Sequence, residues 1–255
     1  MQSSASLRVL RFALLPATIL LTVLTASEQD LAAGRVPPAG FSTDVRATYA
    51  DGRGKDSARW PVPHPLFAQD LSNADFTPGA WAVDAEGVLA PARETNASQR
   101  GDIWTKASYG DFVLNVEFRT RAAGANSGVF LRCSDTANWL HHSIEVQIFQ
   151  GDTEPVHAVG AIFDVAAPRR VLPLVPGEWN RYTIIARKNL ITVILNGEEV
   201  NKIDLDEWTQ AGLNPDGTKN KFATACKDMA RNGRIGLQDH GGSRVEFRHL
   251  FIERL

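Results

Sequence analysis

The chain has 255 residues, of which 27 are basic and 29 acidic, giving a net charge of −2. A protein that binds nucleic acid or another polyanion usually carries a basic face, so this balance argues against such a partner. The length suits one large β domain with a substantial core, preceded by an export segment.

Residues 1–27 are predicted to be a secretory signal peptide. Arg8 and Arg11 precede an apolar run over residues 12–24, and small residues at 25–27 suit cleavage. The alternative is an uncleaved membrane anchor, but the run is short for a bilayer and contains Pro16. We therefore expect an exported protein, periplasmic or extracellular, that keeps no stable membrane span after cleavage.

Residues 28–63 are interpreted as a linker or irregular lead-in. They include Pro37 and Pro38 and have no sustained hydrophobic periodicity. Residues 64–255 are then expected to form the folded domain. Asn96 begins a glycosylation sequon, which matters only in a host that glycosylates.

The domain is predicted to be all-β, because several short segments alternate apolar and polar residues and no long helical period competes. Asn196-Gly197 indicates a tight hairpin. Residues 208–231 are expected to form a long polar insertion with a short helix. The predicted strands cover residues 112–118, 129–133, 144–148, 181–187, 190–195, 234–240 and 245–252, the last two paired through Gly241-Gly242. This spacing is typical of a sandwich or jelly roll.

One candidate site lies on the strand over residues 144–148. Glu145 and Gln147 share one face of that strand, which is either exposed to solvent or lines a cleft. Arg132 has the parity of Phe130 on the preceding strand, so it could pair with Glu145 or bind a substrate oxygen. Asn126 lies in the turn before that strand.

A second candidate site lies near the C-terminus. Gln238 and His240 share a face, and Gly241 follows, so the backbone there can approach a ligand closely. A histidine at a strand end suits acid–base chemistry or metal binding. Trp104, with Asp102 and Lys106, could form a sugar-binding rim, although Trp104 could equally belong to the core.

Other motif classes are absent or undecided. The sequence contains no phosphate loop, nucleophile elbow, zinc-protease motif or dinucleotide fingerprint. Adjacent His141 and His142 would point in opposite directions on a strand, which argues against one shared metal ion. Cys133 and Cys226 could form a disulfide in an oxidising compartment, but the sequence leaves this open.

Taken in order, these motifs resemble the 3-keto-disaccharide hydrolase domain family from about residue 65 to residue 255. The matching segments are residues 101–106 (GDIWTK), 109–114 (YGDFVL), 126–132 (NSGVFLR), 144–148 (IEVQI), 177–180 (GEWN), 193–197 (VILNG) and 236–241 (GLQDHG).

The resemblance implies a concanavalin A-like jelly-roll sandwich of two antiparallel sheets that cleaves 3-keto glycosides. A separate sugar oxidoreductase would first make the C3 ketone. The ketone acidifies the C2 hydrogen, a base removes it, and the C1 substituent leaves by elimination. Water can then add, which gives net hydrolysis.

The resemblance also suggests residue roles. Glu145 and His240 would form the acid–base pair, with the order of their roles open, and Asp239 would orient a neighbour. A divalent metal could polarise the ketone, with His240 as its protein ligand. Arg132 and Gln147 would hold the substrate or its enolate oxygen. The other predicted substrate-binding residues are Trp104, Lys106, Asp239 and Asn126.

Two departures from related proteins are visible. Residues 139–143 (WLHHS) precede the glutamate where the family has a shorter stretch, and Phe149-Gln150-Gly151 stands where it often has an aspartate. Endo-glucanases of the same fold carry Glu-x-Asp-x-x-Glu on one strand. Here Glu145 is followed by Gln147 and Gln150, which disfavours double displacement because an amide is neither nucleophile nor acid.

Two other functions remain open at the level of sequence. A jelly roll also serves as a non-catalytic carbohydrate-binding module, and a third possibility is a structural or interaction domain of the cell envelope, because fold does not fix function.

Overall fold

Alternating apolar residues build two antiparallel sheets that pack face to face. The computed structural model describes residues 63–92, 101–241 and 244–255. The predicted signal peptide, almost all of the lead-in and the Asn96 sequon lie outside these residues.

The described residues contain thirteen strands, β1 to β13, and one short helix, α1. The strands are β1 His64–Pro65, β2 Ala74–Asp75, β3 Trp81–Val83, β4 Leu89–Pro91, β5 Ile103–Tyr109, β6 Phe112–Thr120, β7 Asn126–Cys133, β8 Ile144–Phe149, β9 Asn180–Arg187, β10 Leu190–Leu195, β11 Glu198–Asp204, β12 Gly233–Leu237 and β13 Val245–Arg254. Helix α1 is Trp139–His142.

The larger sheet has eight strands in the order β11-β10-β9-β6-β13-β4-β3, with β1 also paired to β13. The predicted alternation on β6 is confirmed, since Phe112, Leu114, Val116 and Phe118 all lie in the core. Apolar side chains at every second position therefore fix which face of this sheet is buried.

The smaller sheet has five strands in the order β2-β5-β12-β7-β8. Its inner face contributes Val129, Leu131, Val146 and Ile148 to the core. The alternate residues of β7 and β8 consequently lie on the outer face of this sheet, which is where the candidate site is found.

The turn predicted at Asn196-Gly197 is confirmed, because both residues adopt positive φ, 52° and 88°. The predicted pairing of the last two strands is wrong. Strand β12 pairs with β5 and β7, whereas β13 pairs with β6, β4 and β1, so the chain crosses between the sheets after β12. A glycine-rich connection signals a turn but does not say which sheet the next strand joins.

The segment predicted as a long polar insertion, residues 208–231, is anchored to the core. Trp208, Phe222 and Cys226 are buried, and the short helix expected here is a 3-10 turn over Cys226–Asp228. These anchors hold the intervening polar residues in place over the smaller sheet.

The disulfide that the sequence left open is not formed. Cys133 and Cys226 are both free and buried, and burial raises the pKa of each thiol to about 11. Cys226 packs in the main core, whereas Cys133 packs with aromatic residues in a separate cluster. Among the described residues, no helix is long and apolar enough to cross a membrane.

Candidate functional site

A continuous row of residues crosses the outer face of the five-stranded sheet. Strand register aligns Asp75 with Trp104, Trp104 with Gly236, Gly236 with Phe130, and Phe130 with Glu145. Trp104 stacks on Phe130, with ring centroids 5.2 Å apart and planes 14° apart. The row therefore has an aromatic centre and carboxylates at its two ends.

Two glycines allow large side chains to lie flat on this face. A Cβ at Gly236 would lie 2.6 Å from the Trp104 ring, and one at Gly128 would lie 2.8 Å from Glu145 Cγ and closer still to Oε1. Such distances are shorter than van der Waals contact. The Glu145 side chain thus extends over the gap that Gly128 leaves on the neighbouring strand.

Glu145 forms a buried ion pair with Lys221. Glu145 Oε2 lies 3.2 Å from Lys221 Nζ, and the two side chains are 4% and 10% exposed. Lys221 also lies 4.6 Å from the ring centroid of Phe163, a cation–π contact. The ammonium can donate three hydrogen bonds, and described residues accept one from it, at Glu145.

Burial sets the protonation behaviour of Glu145. The loss of solvent raises the pKa of this carboxyl above its usual value of 4.5, while the charge of Lys221 and the more distant charge of His157 act in the opposite direction. A carboxylate whose pKa moves towards neutrality becomes a stronger base for abstracting a proton.

Residues 157–164 close the free edge of β8. Phe163 N–H donates to the carbonyl oxygen of Glu145, and Gln147 N–H donates to that of Ala161. His157 Nε2 lies 2.9 Å from Asp164 Oδ1, and its ring stacks on Phe163 at 4.4 Å. This segment places a histidine–aspartate couple within electrostatic reach of Glu145.

Gln147 lies beside Glu145 on the same face, as predicted. In one orientation its amide nitrogen lies 3.2 Å from Asn126 Oδ1. The amide can turn over, and its nitrogen then donates to the carbonyl oxygen of Ser127 at 3.2 Å and to Glu145 Oε1 at 3.3 Å. The structure therefore brings together Glu145, Gln147 and Asn126 from the predicted set.

The turn after β12 holds the second predicted cluster. Asp239 is 2% exposed, its N–H donates to Asp102 Oδ1 at 2.9 Å, and its own Oδ1 accepts from Gly241 N–H. Asp239 thus shapes the turn that presents His240, which is half-buried. The pairing of His240 with Glu145 remains a prediction.

Two predicted substrate-binding residues, Arg132 and Lys106, make contacts away from Glu145. The Arg132 guanidinium is 2% exposed and binds the carbonyl oxygens of Gly110 and Lys188 and the Asp111 carboxylate. Its suggested pairing with Glu145 is wrong, because Arg132 has a positive φ of 53° at the end of β7, where the alternation breaks. Lys106 is exposed and donates to the Ser72 carbonyl oxygen.

The sequence left open whether Trp104 belongs to a sugar-binding rim or to the core, and the structure shows features of both. Trp104 lies on the outer face, as a rim residue would, yet it is 6% exposed because it packs against Phe130 and Gly236. Trp139 of α1 covers Phe130, with ring centroids 4.6 Å apart. The aromatic cluster therefore forms the wall beside the Gly128 gap.

Sequence reasoning missed Lys221, His157 and Asp164. Lys221 lies in the segment interpreted only as a polar insertion, although its neighbour Phe222 and nearby Trp208 are the apolar anchors that fix it. Asp164 adopts a positive φ of 65°, and no turn motif in the surrounding sequence predicts that conformation. The apolar anchors were the one available signal.

The structure supplies no ligand set for the predicted divalent metal among its described residues. No group of three or more histidine, cysteine or acidic side chains comes together there. The metal role suggested for His240 therefore stays a prediction.

Residues 54–253 match the 3-keto-alpha-glucoside-1,2-lyase-like domain. The chain belongs to this family. No curated protein matches it at a significant level.

Solved structures agree with the family assignment. A predicted glycosyl hydrolase from Parabacteroides distasonis is 34% identical, with a TM-score of 0.69 over 76% of this chain and 99% of that one. A second one from the same organism is 26% identical, with a TM-score of 0.55 over 76% and 84%. These relatives support a function on carbohydrate.

A Bacillus subtilis protein of unknown function with a galectin-like fold is 12% identical, with a TM-score of 0.50 over 75% of this chain and 94% of that one. At this identity the likeness concerns the fold alone. Together with the two antiparallel sheets, it confirms the predicted concanavalin A-like jelly-roll sandwich.

Proposed function

We propose that the protein cleaves 3-keto glycosides by elimination. The observation that carries the proposal is the buried pair of Glu145 and Lys221 on the outer face of the five-stranded sheet. It sets a desolvated carboxylate beside an ammonium, which is the combination that proton abstraction next to a ketone needs. Membership of the family supports this substrate class.

In the proposed reaction, Glu145 acts as the base and Lys221 as a hydrogen-bond donor. Glu145 removes the proton from C2, and the electrons of that C–H bond form a C1=C2 double bond as the C1–O bond breaks. The departing oxygen takes up a proton. Lys221 donates a hydrogen bond to the C3 oxygen while negative charge develops on it, because its ammonium has donors beyond the one given to Glu145.

The partner reactions follow from this chemistry. An unoxidised glycoside has no acidic C2 hydrogen, so a separate sugar oxidoreductase must supply the ketone. Addition of water to C1, with a proton to C2, then completes net hydrolysis. Gln147 and Asn126 lie beside Glu145 and would hold the sugar in place. We place the reaction in the periplasm or outside the cell, following the predicted signal peptide.

The test compares a 3-keto glucoside with its unoxidised parent. We expect cleavage of the ketone alone, and in heavy water we expect deuterium at C2 of the hydrated product. Replacing Glu145 with Gln should lower the rate about a hundredfold or more, the usual scale for an acid–base group. Turnover of the parent, or a product without label at C2, would refute the elimination.

A second experiment identifies the proton donor for the leaving oxygen. His240 is one candidate, because it is predicted to form the acid–base pair with Glu145 in either order of roles, and His157 is the other, because it acts electrostatically on Glu145. Each is replaced with Gln, and rates are compared for leaving groups of different acidity. Only the variant that lacks the true donor should lose more rate with poor leaving groups than with good ones.

A carbohydrate-binding module is the second candidate, because a jelly roll can bind sugar without catalysis and the carboxylate that would act as the base is already paired. A carboxylate already paired at 3.2 Å and 4% exposed is held in place as in a structural interaction. Retained binding of a 3-keto glucoside without cleavage, in wild-type protein, would decide for this alternative.

A further inference from the structure

Two buried side-chain polar atoms among the described residues have no hydrogen-bond partner, His141 Nδ1 and Gln238 Oε1, and the second belongs to the outer face of the smaller sheet. Gln238 is 6% exposed, and its side-chain oxygen accepts no hydrogen bond within the described structure. A buried polar group without a partner carries a desolvation cost, so such atoms are rare in folded proteins and call for an explanation.

The register places Gln238 across strand β7 from Glu145 and Gln147. Leu237 pairs with Val129 and faces the core, so the next residue faces outwards. Gln238 N–H donates to the carbonyl oxygen of Gly128, which sets it opposite that glycine on the adjacent strand. Gly128 is the residue over which the Glu145 carboxylate lies.

Gly128, which the Glu145 side chain covers, is therefore flanked by polar side chains on both neighbouring strands. Glu145 and Gln147 come from β8 on one side, and Gln238 comes from β12 on the other. Neighbouring strands are about 4.8 Å apart, so β8 and β12 are about 10 Å apart across β7, and their side chains can contact one small ligand together.

We infer that Gln238 is a sugar-binding residue, whose side-chain oxygen accepts a hydrogen bond from one hydroxyl of the bound glycoside. A hydroxyl supplies the donor that the buried oxygen lacks. The inference rests on the proposed function, since it names a contact at the same site.

Gln150 provides a matched control. It is a second buried glutamine, 8% exposed, but both ends of its amide are satisfied. Its Oε1 accepts from Thr120 Oγ1 at 2.6 Å, and its Nε2 donates to the Leu174 carbonyl oxygen at 2.7 Å. Gln150→Met should lower the melting temperature because it leaves two buried partners unpaired, whereas Gln238→Met should not.

The experiment measures binding by ligand-observed NMR titration. The probes are methyl α-glucoside and its 2-, 3-, 4- and 6-deoxy analogues, none of which carries the ketone. In wild-type protein, one deoxy analogue should bind roughly tenfold more weakly than the parent, the value of one hydrogen bond. In Gln238→Met that difference should disappear, and in Gln150→Met it should persist.

Three results would overturn the inference. These are a Gln238→Met variant that binds the parent glucoside as tightly as wild type, a deoxy penalty that survives in that variant, and a wild-type protein that binds no probe. The proposed elimination can be refuted independently of this inference. If the Gln238 contact is measured but the 3-keto glucoside is never cleaved, the binding residue stands and the proposed reaction does not.

Discussion

Replacing Lys221 with Met should destabilise the protein in a pH-dependent way. The substitution keeps the length of the side chain but removes the charge that faces Glu145 at 3.2 Å. At an effective dielectric constant of about 20, two charges at that distance interact by about 5 kcal/mol. Removing one partner of a buried pair typically costs about 3–5 kcal/mol, because the other charge is left without compensation.

The sign of the pH dependence follows from Glu145. Its pKa already lies above 4.5 in the folded protein, and loss of Lys221 raises it further. The folded variant then binds more protons than the unfolded chain between the unfolded and the folded pKa. Stability is therefore kept below about pH 4.5 and falls as pH rises through that window, by up to about 1.4 kcal/mol per pH unit.

Urea denaturation of wild type and variant at pH 5, 6, 7 and 8 measures this effect. Lys227→Met is the matched control, because Lys227 is 41% exposed in the same segment and pairs with the exposed Asp228. It should cost about 0–1 kcal/mol at every pH. Adding Glu145→Gln to Lys221→Met should abolish the pH dependence. A deficit that does not change with pH, or that equals the control, would refute the assignment of a charged buried pair.

Two further predictions concern Gly128 and the free cysteines. Gly128→Ala should lower activity on a 3-keto glucoside about a hundredfold, because the new Cβ displaces the Glu145 carboxylate. The control Gly124→Ala, at an open turn with φ 77°, should affect only stability, and an unchanged kcat in Gly128→Ala would contradict the prediction. Since Cys133 and Cys226 are free, a reducing agent should leave the melting temperature unchanged, and a drop of several degrees would indicate a disulfide.

The sequence correctly predicted which face of their strand the side chains of β6 and β8 occupy, because side chains alternate between the two faces with a period of two. Alternation correctly predicted that Phe112, Leu114 and Val116 face the core. It also predicted that Glu145 and Gln147 share the other face of their strand, which is the outer face of the five-stranded sheet. Each of these assignments needs only the parity of a strand, which local sequence records.

The rest depends on contacts between distant segments. Lys221 meets Glu145 from 76 positions further along the chain, so no local pattern connects them. The predicted pairing of Arg132 with Glu145 is wrong because the Arg132 backbone leaves the strand conformation, with φ at 53°, and its guanidinium pairs with Asp111. Parity cannot be extended past such a residue.

The position of the last two strands has a consequence for how the molecule is assembled. Strand β12 lies between β5 and β7, and β13 lies between β6 and β4, so each sheet receives an interior strand from the final stretch of the chain, residues 233–254. Until that stretch is available, both sheets are split into separate pieces with open edges. Such long-range closure makes folding slow and leaves unpaired edges exposed to aggregation. We expect a chain truncated before β12 to remain unfolded.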